Sequence, residues 1–306
     1  MLVKILVFFY LPLMLLGVLL DYPYSRDLSV EQNSKPAIRS TAQNFYDDSY
    51  APKENEAGVG SYVATENDVA EQSGIKDAIQ GFVKANNLMD KKVLEVGSGT
   101  GSLQDIVEDY TGLDISPNVA GLYHKRFVLG SATALPFEDN SFDASWTVWV
   151  LEHVPEPERM LMELRRVLKP QGLLYLCPAW NCVPWAAGGY EWRSFRDLGF
   201  GGKLIKLTIP LRKLSTVVST SPIRSVRWGH YFLAKDRTRL RFRSLTPNYE
   251  KYWGPDSDAA VSLDSYETYL WFKSRGDRCL NCDGSFPMGQ TVMPLIIRIV
   301  KTKHAQ

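Results

Sequence analysis

Net charge is the first thing this chain lacks, since 35 Lys and Arg stand against 34 Asp and Glu over 306 residues. A near-neutral chain has no global field with which to collect nucleic acid, so partners of that class are not expected. Histidine and cysteine are scarce, at four each, too few thiols for a disulfide framework in a chain of this length. The cysteines form two close pairs, Cys177 with Cys182 and Cys279 with Cys282. The C-x-x-C spacing of the second suits half a zinc site or a redox couple. The first is spaced differently and no histidine lies near, so no metal is expected. Cys177 reads as a small buried apolar residue in a strand. Internal repeats are absent, and so is the Asn-Pro-Pro-Tyr run of base-modifying enzymes.

Charge is also missing from residues 1–20, where Lys4 is the sole charged side chain among Leu, Val, Ile, Phe and Met. About 20 such residues suffice to cross a bilayer as a helix. The run is expected to be a retained transmembrane anchor, with a signal peptide as the competing reading, although no A-x-A-like site follows. Lys4 and the terminal amine stand against Arg26, Lys35 and Arg39, which leans the remainder toward the cytoplasmic side. The alternative is secretion after cleavage. Residues 21–60, rich in Ser, Asn, Asp, Tyr, Pro and Gly, read as a linker.

What is present from about Glu66 onward is alternation. Val69, Ile75, Ile79, Phe82 and Val83 suit an amphipathic helix, and strands follow at 93–96, 110–115, 127–129, 142–150 and 173–177. A short helix is expected over 102–108 and a longer one over 157–168, with Glu158 near its start and Arg165 and Arg166 near its end, as the helix dipole favours. Strands alternating with helices indicate a doubly wound, Rossmann-like α/β fold with a mostly parallel sheet, whose ligands bind beyond the strands' carboxyl ends. The domain is expected over 61–306. Within it 178–255, rich in Trp, Gly, Arg and Pro, reads as a substrate-side insertion or lid, followed by helical spacing over 262–275 and an apolar strand over 291–301.

The most informative run is Val-Leu-Glu-Val-Gly-Ser-Gly-Thr-Gly, residues 93–101. Gly97, Gly99 and Gly101 let a ligand approach backbone N–H groups at a strand-to-helix turn. The dinucleotide pattern G-x-G-x-x-G would place its third glycine where Ser102 stands, which disfavours NAD. Asp114, at the tip of the next strand, is placed to accept hydrogen bonds from both hydroxyls of a ribose, a cap for the following segment being the plainer reading.

Four runs in order, the glycine run, Ala-Thr-Ala-Leu-Pro-Phe-Glu-Asp-Asn-Ser-Phe-Asp-Ala, Leu-Glu-His-Val-Pro-Glu-Pro-Glu and Arg-Val-Leu-Lys-Pro-Gln-Gly, closely resemble the class I S-adenosylmethionine (SAM)-dependent methyltransferases. The resemblance is to the type 11-like group that includes quinone and sterol methyltransferases. It covers residues 93–178 and implies SAM as cofactor, held at its methionine end by Glu95, Gly97, Ser98, Gly99 and Gly101. It also implies that Asp114 holds the ribose and that Ile115 packs on the adenine. Ser131 and Ala132 fall where the family carries an Asp for the adenine amine, and Gln171 replaces a usual Gly.

Trp146 to His153 would then face the transferred methyl, with His153 a base toward a hydroxyl or acidic carbon, or a hydrogen-bonded structural histidine. Acceptors implied are small molecules or lipids. Two further readings are a SAM-binding protein without transfer activity and a nucleotide-dependent oxidoreductase. Lastly, Arg237, Arg239, Arg241 and Arg243 recur at period two, so on a strand they share one face. That face is either a charge-protected edge or a surface for an anionic substrate or lipid headgroups.

Overall fold

A computed structural model of the chain describes residues 8, 11–12, 35–51, 71–233, 238–250, 254–282 and 291–301. They belong to two compact units: the described parts of Ser29–Pro178, Gly276–Leu280 and Pro294–Gln306, and those of Met1–Leu28, Ala179–Arg275 and Asn281–Met293.

The first unit is built on strands β1 (Lys92–Val96), β2 (Asp109–Asp114), β3 (Arg126–Leu129), β4 (Phe142–Val148) and β5 (Leu168–Cys177), with β8 (Arg278–Cys279) and β9 (Leu295–Arg298) completing the sheet. Their order is β3-β2-β1-β4-β5-β9-β8. The first five are parallel, while β9 runs antiparallel to both β5 and β8. Strand order reverses between β1 and β4, the position where a parallel sheet opens a crevice at its carboxyl ends. The expected strand over 291–301 thus pairs from Leu295 to Arg298 only, and β8 lies outside it.

Helices cover this sheet in the expected places. Helix α2 (Ile75–Ala85) buries Ile75, Ile79, Phe82 and Val83 on one face against Val93, Trp146 and Tyr175, each such side chain contributing roughly 1.5–3 kcal/mol. Helix α3 (Pro157–Val167) is the crossover between β4 and β5, with Met160, Leu161, Leu164 and Val167 fully buried. Pro157 fits the first turn, where its missing N–H costs nothing.

Two local expectations fail. The helix over 102–108 is only a 3₁₀ turn at Gln104–Ile106, because β2 starts at Asp109 and leaves no length for α-helical turns. The stretch 21–60 contains a 16-residue helix, α1 (Lys35–Tyr50), with Ala42 buried. Its pattern is faint because it has so few large apolar residues.

The second unit holds helices α4 (Phe200–Leu233) and α5 (Ser265–Lys273) and a two-stranded pair, β6 (Phe242–Ser244) with β7 (Val261–Leu263). It extends past Pro255 through Arg275. Of residues 1–20 only 8, 11 and 12 are described, so the expected anchor lies almost wholly outside them. No helix of the described residues is long and apolar enough to cross a membrane. Cys177 and Cys182 are free and buried, while Cys279 and Cys282 are disulfide-bonded.

Candidate functional site

The site is assembled where β1, β2, β3 and β4 end. Parallel register places Val96 beside Leu113 and Glu95 beside Trp146, so the glycine loop, the tip of β2 and the exit of β4 are neighbours. Gly97, Gly99 and Gly101 have φ of 70°, 46° and 73°, a region closed to most side chains. At Gly97 a Cβ would also fall 2.2 Å from Val150 Cγ2. The loop folds back on β2 through the N–H groups of Gly97 and Ser98, both donating to the Leu113 carbonyl at 2.8 and 3.1 Å. No α-helix follows, so its N-terminal dipole contributes nothing here. The N–H groups of Gly99 and Gly101 also donate within the fold, to Asp114 and to the Ser98 carbonyl, so what the loop offers a ligand is close approach to its backbone.

Asp114 joins the two elements. Its Oδ2 accepts from Gly99 N at 2.9 Å and its Oδ1 from Ser116 N at 3.0 Å. Burial raises its carboxyl above the usual aspartate range, and the backbone N–H groups of Ser116, Gly99 and Ile115 partly oppose that rise. Each oxygen keeps lone-pair capacity for a further donor, so the pair can accept from the vicinal hydroxyls of a ribose. Glu95 is buried one strand over, where the Tyr110 phenol donates to its Oε2 at 2.5 Å. Burial, then the carboxylate, hold that phenol well above its ordinary value. Ile115 is half-buried beside Asp114.

Ser131 and Ala132, both half-buried, start the turn after β3. The Ser131 hydroxyl lies 3.0 Å from that of Thr133 and accepts from Thr133 N at 3.3 Å, so it stabilises its own turn. Residues 135–139 are pinned from α3. Arg166 donates to the carbonyls of Leu135 and Phe137 and to Asp139, and Glu163 accepts from Leu135 N. The second of the four runs thus contains a loop that α3 anchors.

At the exit of β4, Trp149 adopts φ 53°, strain of the kind that clusters at functional sites. His153 closes a 3₁₀ turn, half-buried, with Nε2 3.9 Å from Oε1 of the fully buried Glu152. Its ring meets Tyr46 of α1 edge-on, with centroids 6.1 Å apart. Helix α1 also accepts from Asn118, the side-chain amide reaching the Asp47 carbonyl at 2.8 Å. The nominal linker thus borders both His153 and the turn after Asp114.

Sequence reasoning missed Tyr46, Tyr110 and Tyr123. The Tyr123 hydroxyl lies 2.8 Å from both the Ser98 hydroxyl and the Gly99 carbonyl. Each lies outside the glycine pattern, and only the fold brings it there. The arginine run is less regular than its spacing suggested, since β6 starts only at Phe242. Leu240 and Phe242 are buried, Arg239 is exposed and Arg241 and Arg243 are half-buried. Arg237 lies outside the described residues. No group of three or more potential metal ligands is found among the described residues.

Residues 94–176 match a family model described as a methyltransferase domain. A demethylmenaquinone methyltransferase of Renibacterium salmoninarum is 41% identical over 93 residues, covering 28% of this chain and 39% of that protein. A ubiquinone/menaquinone biosynthesis C-methyltransferase UbiE of Brucella canis is 32% identical over 150 residues, covering 42% and 55%. A sterol 4-C-methyltransferase of Caenorhabditis elegans is 30% identical over 94 residues, covering 26% and 28%. The chain thus spans about half or less of the length of these relatives. Among solved structures, a SAM-bound amino pentose methyltransferase from Micromonospora echinaspora matches with a TM-score of 0.35 at 19% identity, covering 42% of this chain and 60% of that one. Over residues 94–176, where the glycine loop and Asp114 stand at the switch point of the sheet, the chain matches a methyltransferase domain.

Proposed function

We propose that this chain transfers a methyl group from SAM to a small-molecule or lipid-type acceptor, of the quinone or sterol kind that its relatives' names describe. The observation that carries the reading is Asp114, whose two oxygens are fixed by N–H groups from the glycine loop and from its own turn. That arrangement favours a cofactor bearing a ribose at the loop, while the G-x-G-x-G spacing disfavours a nicotinamide dinucleotide.

When bound, SAM supplies a methyl group already activated on a sulfonium. The chain's work is then placement. Glu95, Gly97, Ser98, Gly99 and Gly101 hold the amino-acid end, Asp114 the ribose, and Ile115, Ser131 and Ala132 the base. His153 receives the proton that a hydroxyl or acidic carbon gives up on methylation, with the neighbouring Glu152 stabilising the imidazolium formed. The acceptor is proposed to lie at a membrane, the apolar residues 1–20 tethering the chain and Arg239, Arg241 and Arg243 meeting anionic groups.

The test has two steps. The full chain should be stabilised against heat by SAM and by S-adenosylhomocysteine but not by NADH. Lipid extracts of cells with and without the chain should differ by species separated by one CH₂. Stabilisation without a methylated product would favour a SAM-binding scaffold, and stabilisation by NADH alone would sink the reading.

A further inference from the structure

Helix α4 exposes large apolar side chains from Phe200 to Leu214, where Ile209 is the buried residue, and buries polar ones from Ser215 onward. Among its buried residues are Ser215, Ser219, Arg224 and Arg227. The two arginines are clamped by α5, Arg224 through Nε and Nη2 to Asp264 and Arg227 through Nε and Nη2 to Glu267. Its outward side is apolar instead. Phe200, Leu204, Leu207, Leu211 and Leu214 recur at i, i+4, i+7, i+11 and i+14, so they form one stripe. All are exposed, Phe200 at 80% and Leu207 at 64%. Water-soluble helices bury such a stripe, and a contiguous exposed one marks a surface that meets something apolar.

Charge decides what that is. The 34 residues of α4 contain no Asp or Glu, while Lys203, Lys206, Arg212 and Lys213 lie within the same stretch as the stripe. A second copy would set one acid-free helix against another, without the opposite charges that stabilise helix pairs. Crossing a bilayer does not fit α4, which carries those four cations close together and is not apolar enough over a span's length. A basic, acid-free helix with a leucine-rich face has the composition of one that lies in the headgroup region of an anionic bilayer. Exposed Lys213 pairs with exposed Glu191, a contact weak enough to yield to lipid phosphates.

We propose that the outward face of α4 from Phe200 to Leu214 is a membrane-docking surface for anionic phospholipid bilayers. This needs no methyl transfer and is separable from the reading above. It is distinct from the anchor proposed for residues 1–20, which would hold the chain on a vesicle by itself, so the measurement must report on α4 alone.

In the full chain carrying Leu207→Cys, an environment-sensitive fluorophore finds one accessible thiol, since Cys177 and Cys182 are buried and Cys279 and Cys282 are bonded. Its emission should shift to the blue with vesicles of phosphatidylcholine and phosphatidylserine, be quenched by brominated acyl chains, and respond far less to phosphatidylcholine alone. Leu204→Glu with Leu211→Glu, both at exposed sites, should lower partition to the mixed vesicles at least about tenfold and leave the SAM-induced thermal shift unchanged. Unchanged emission on vesicles that nevertheless carry the chain would overturn the proposal. So would a blue shift that depends on protein concentration without vesicles, which would assign the face to a second copy.

Discussion

At the scale of single residues, the site turns on whether a buried charge does chemistry or merely caps a turn. Asp114 does cap a turn, since Ser116 N donates to it, but a cap alone has no need of a second N–H from a loop 15 positions away. Holding an ionised carboxylate in a buried place costs stability, as its raised proton affinity shows. Asp114→Ala should therefore weaken SAM binding at least about a hundredfold, from two lost charge-assisted hydrogen bonds of roughly 1.5–3 kcal/mol each. Isothermal titration would measure it, and unchanged affinity would mean the ribose is held elsewhere. The sign of the pH effect follows from the same burial. A raised carboxyl protonates earlier as pH falls, so SAM affinity should decline at a higher pH than an ordinary aspartate, near about 3.9, would dictate. His153→Ala is the contrasting variant. It should leave that affinity nearly intact and lower turnover about a hundredfold or more if the residue is the base, and equal turnover would return it to a structural role beside Tyr46.

At the scale of elements, what was legible is what short-range pattern encodes. β1, β2 and α3 fall within about two residues of expectation because periodicity and helix punctuation are local signals. The shortfall at 102–108 and the helix over 35–50 were not legible for opposite reasons. The first has a helical pattern but no room. The second has few apolar residues, and its partners, Asn118 and His153, lie far along the chain. Gln171 shows how a departure from family pattern becomes physical. It sits at φ 68° in the irregularity of β5, where a glycine would carry no Cβ penalty, and its N–H still donates to the Ile299 carbonyl at 2.8 Å. Gln171→Gly should therefore stabilise the chain by about 0.5–1 kcal/mol, the relief of left-handed strain outweighing the entropy glycine adds to the unfolded state. A rise in the urea midpoint at constant slope would check it, and a fall would show that the side chain compensates for its own strain.

At the scale of the whole molecule, the segment after β5 leaves the sheet-bearing unit at Pro178 and the chain returns to it at Gly276 to add β8 and β9. The sheet is thus completed by chain that lies beyond an insertion, and its last strands pair only after about a hundred intervening residues have been accommodated. Each unit has its own means of cohesion. The first has a continuous apolar core around β1 and β4. The second buries two arginine–carboxylate pairs between α4 and α5, which specify a unique pairing more than they add net stability. Units held together by such different means are expected to melt separately. The glycine loop, Asp114 and His153 all belong to the first unit, so a ligand held by them acts on that transition alone. At about a hundred times its dissociation constant, SAM contributes roughly 2.7 kcal/mol, enough to raise a transition of this size by about 5–10 °C. Scanning calorimetry of the full chain should then show two transitions, one moving with SAM and one fixed, and Asp114→Ala should abolish the movement. A single transition that moves as a whole would mean that the two units unfold as one, the returning strands coupling the insertion to the sheet.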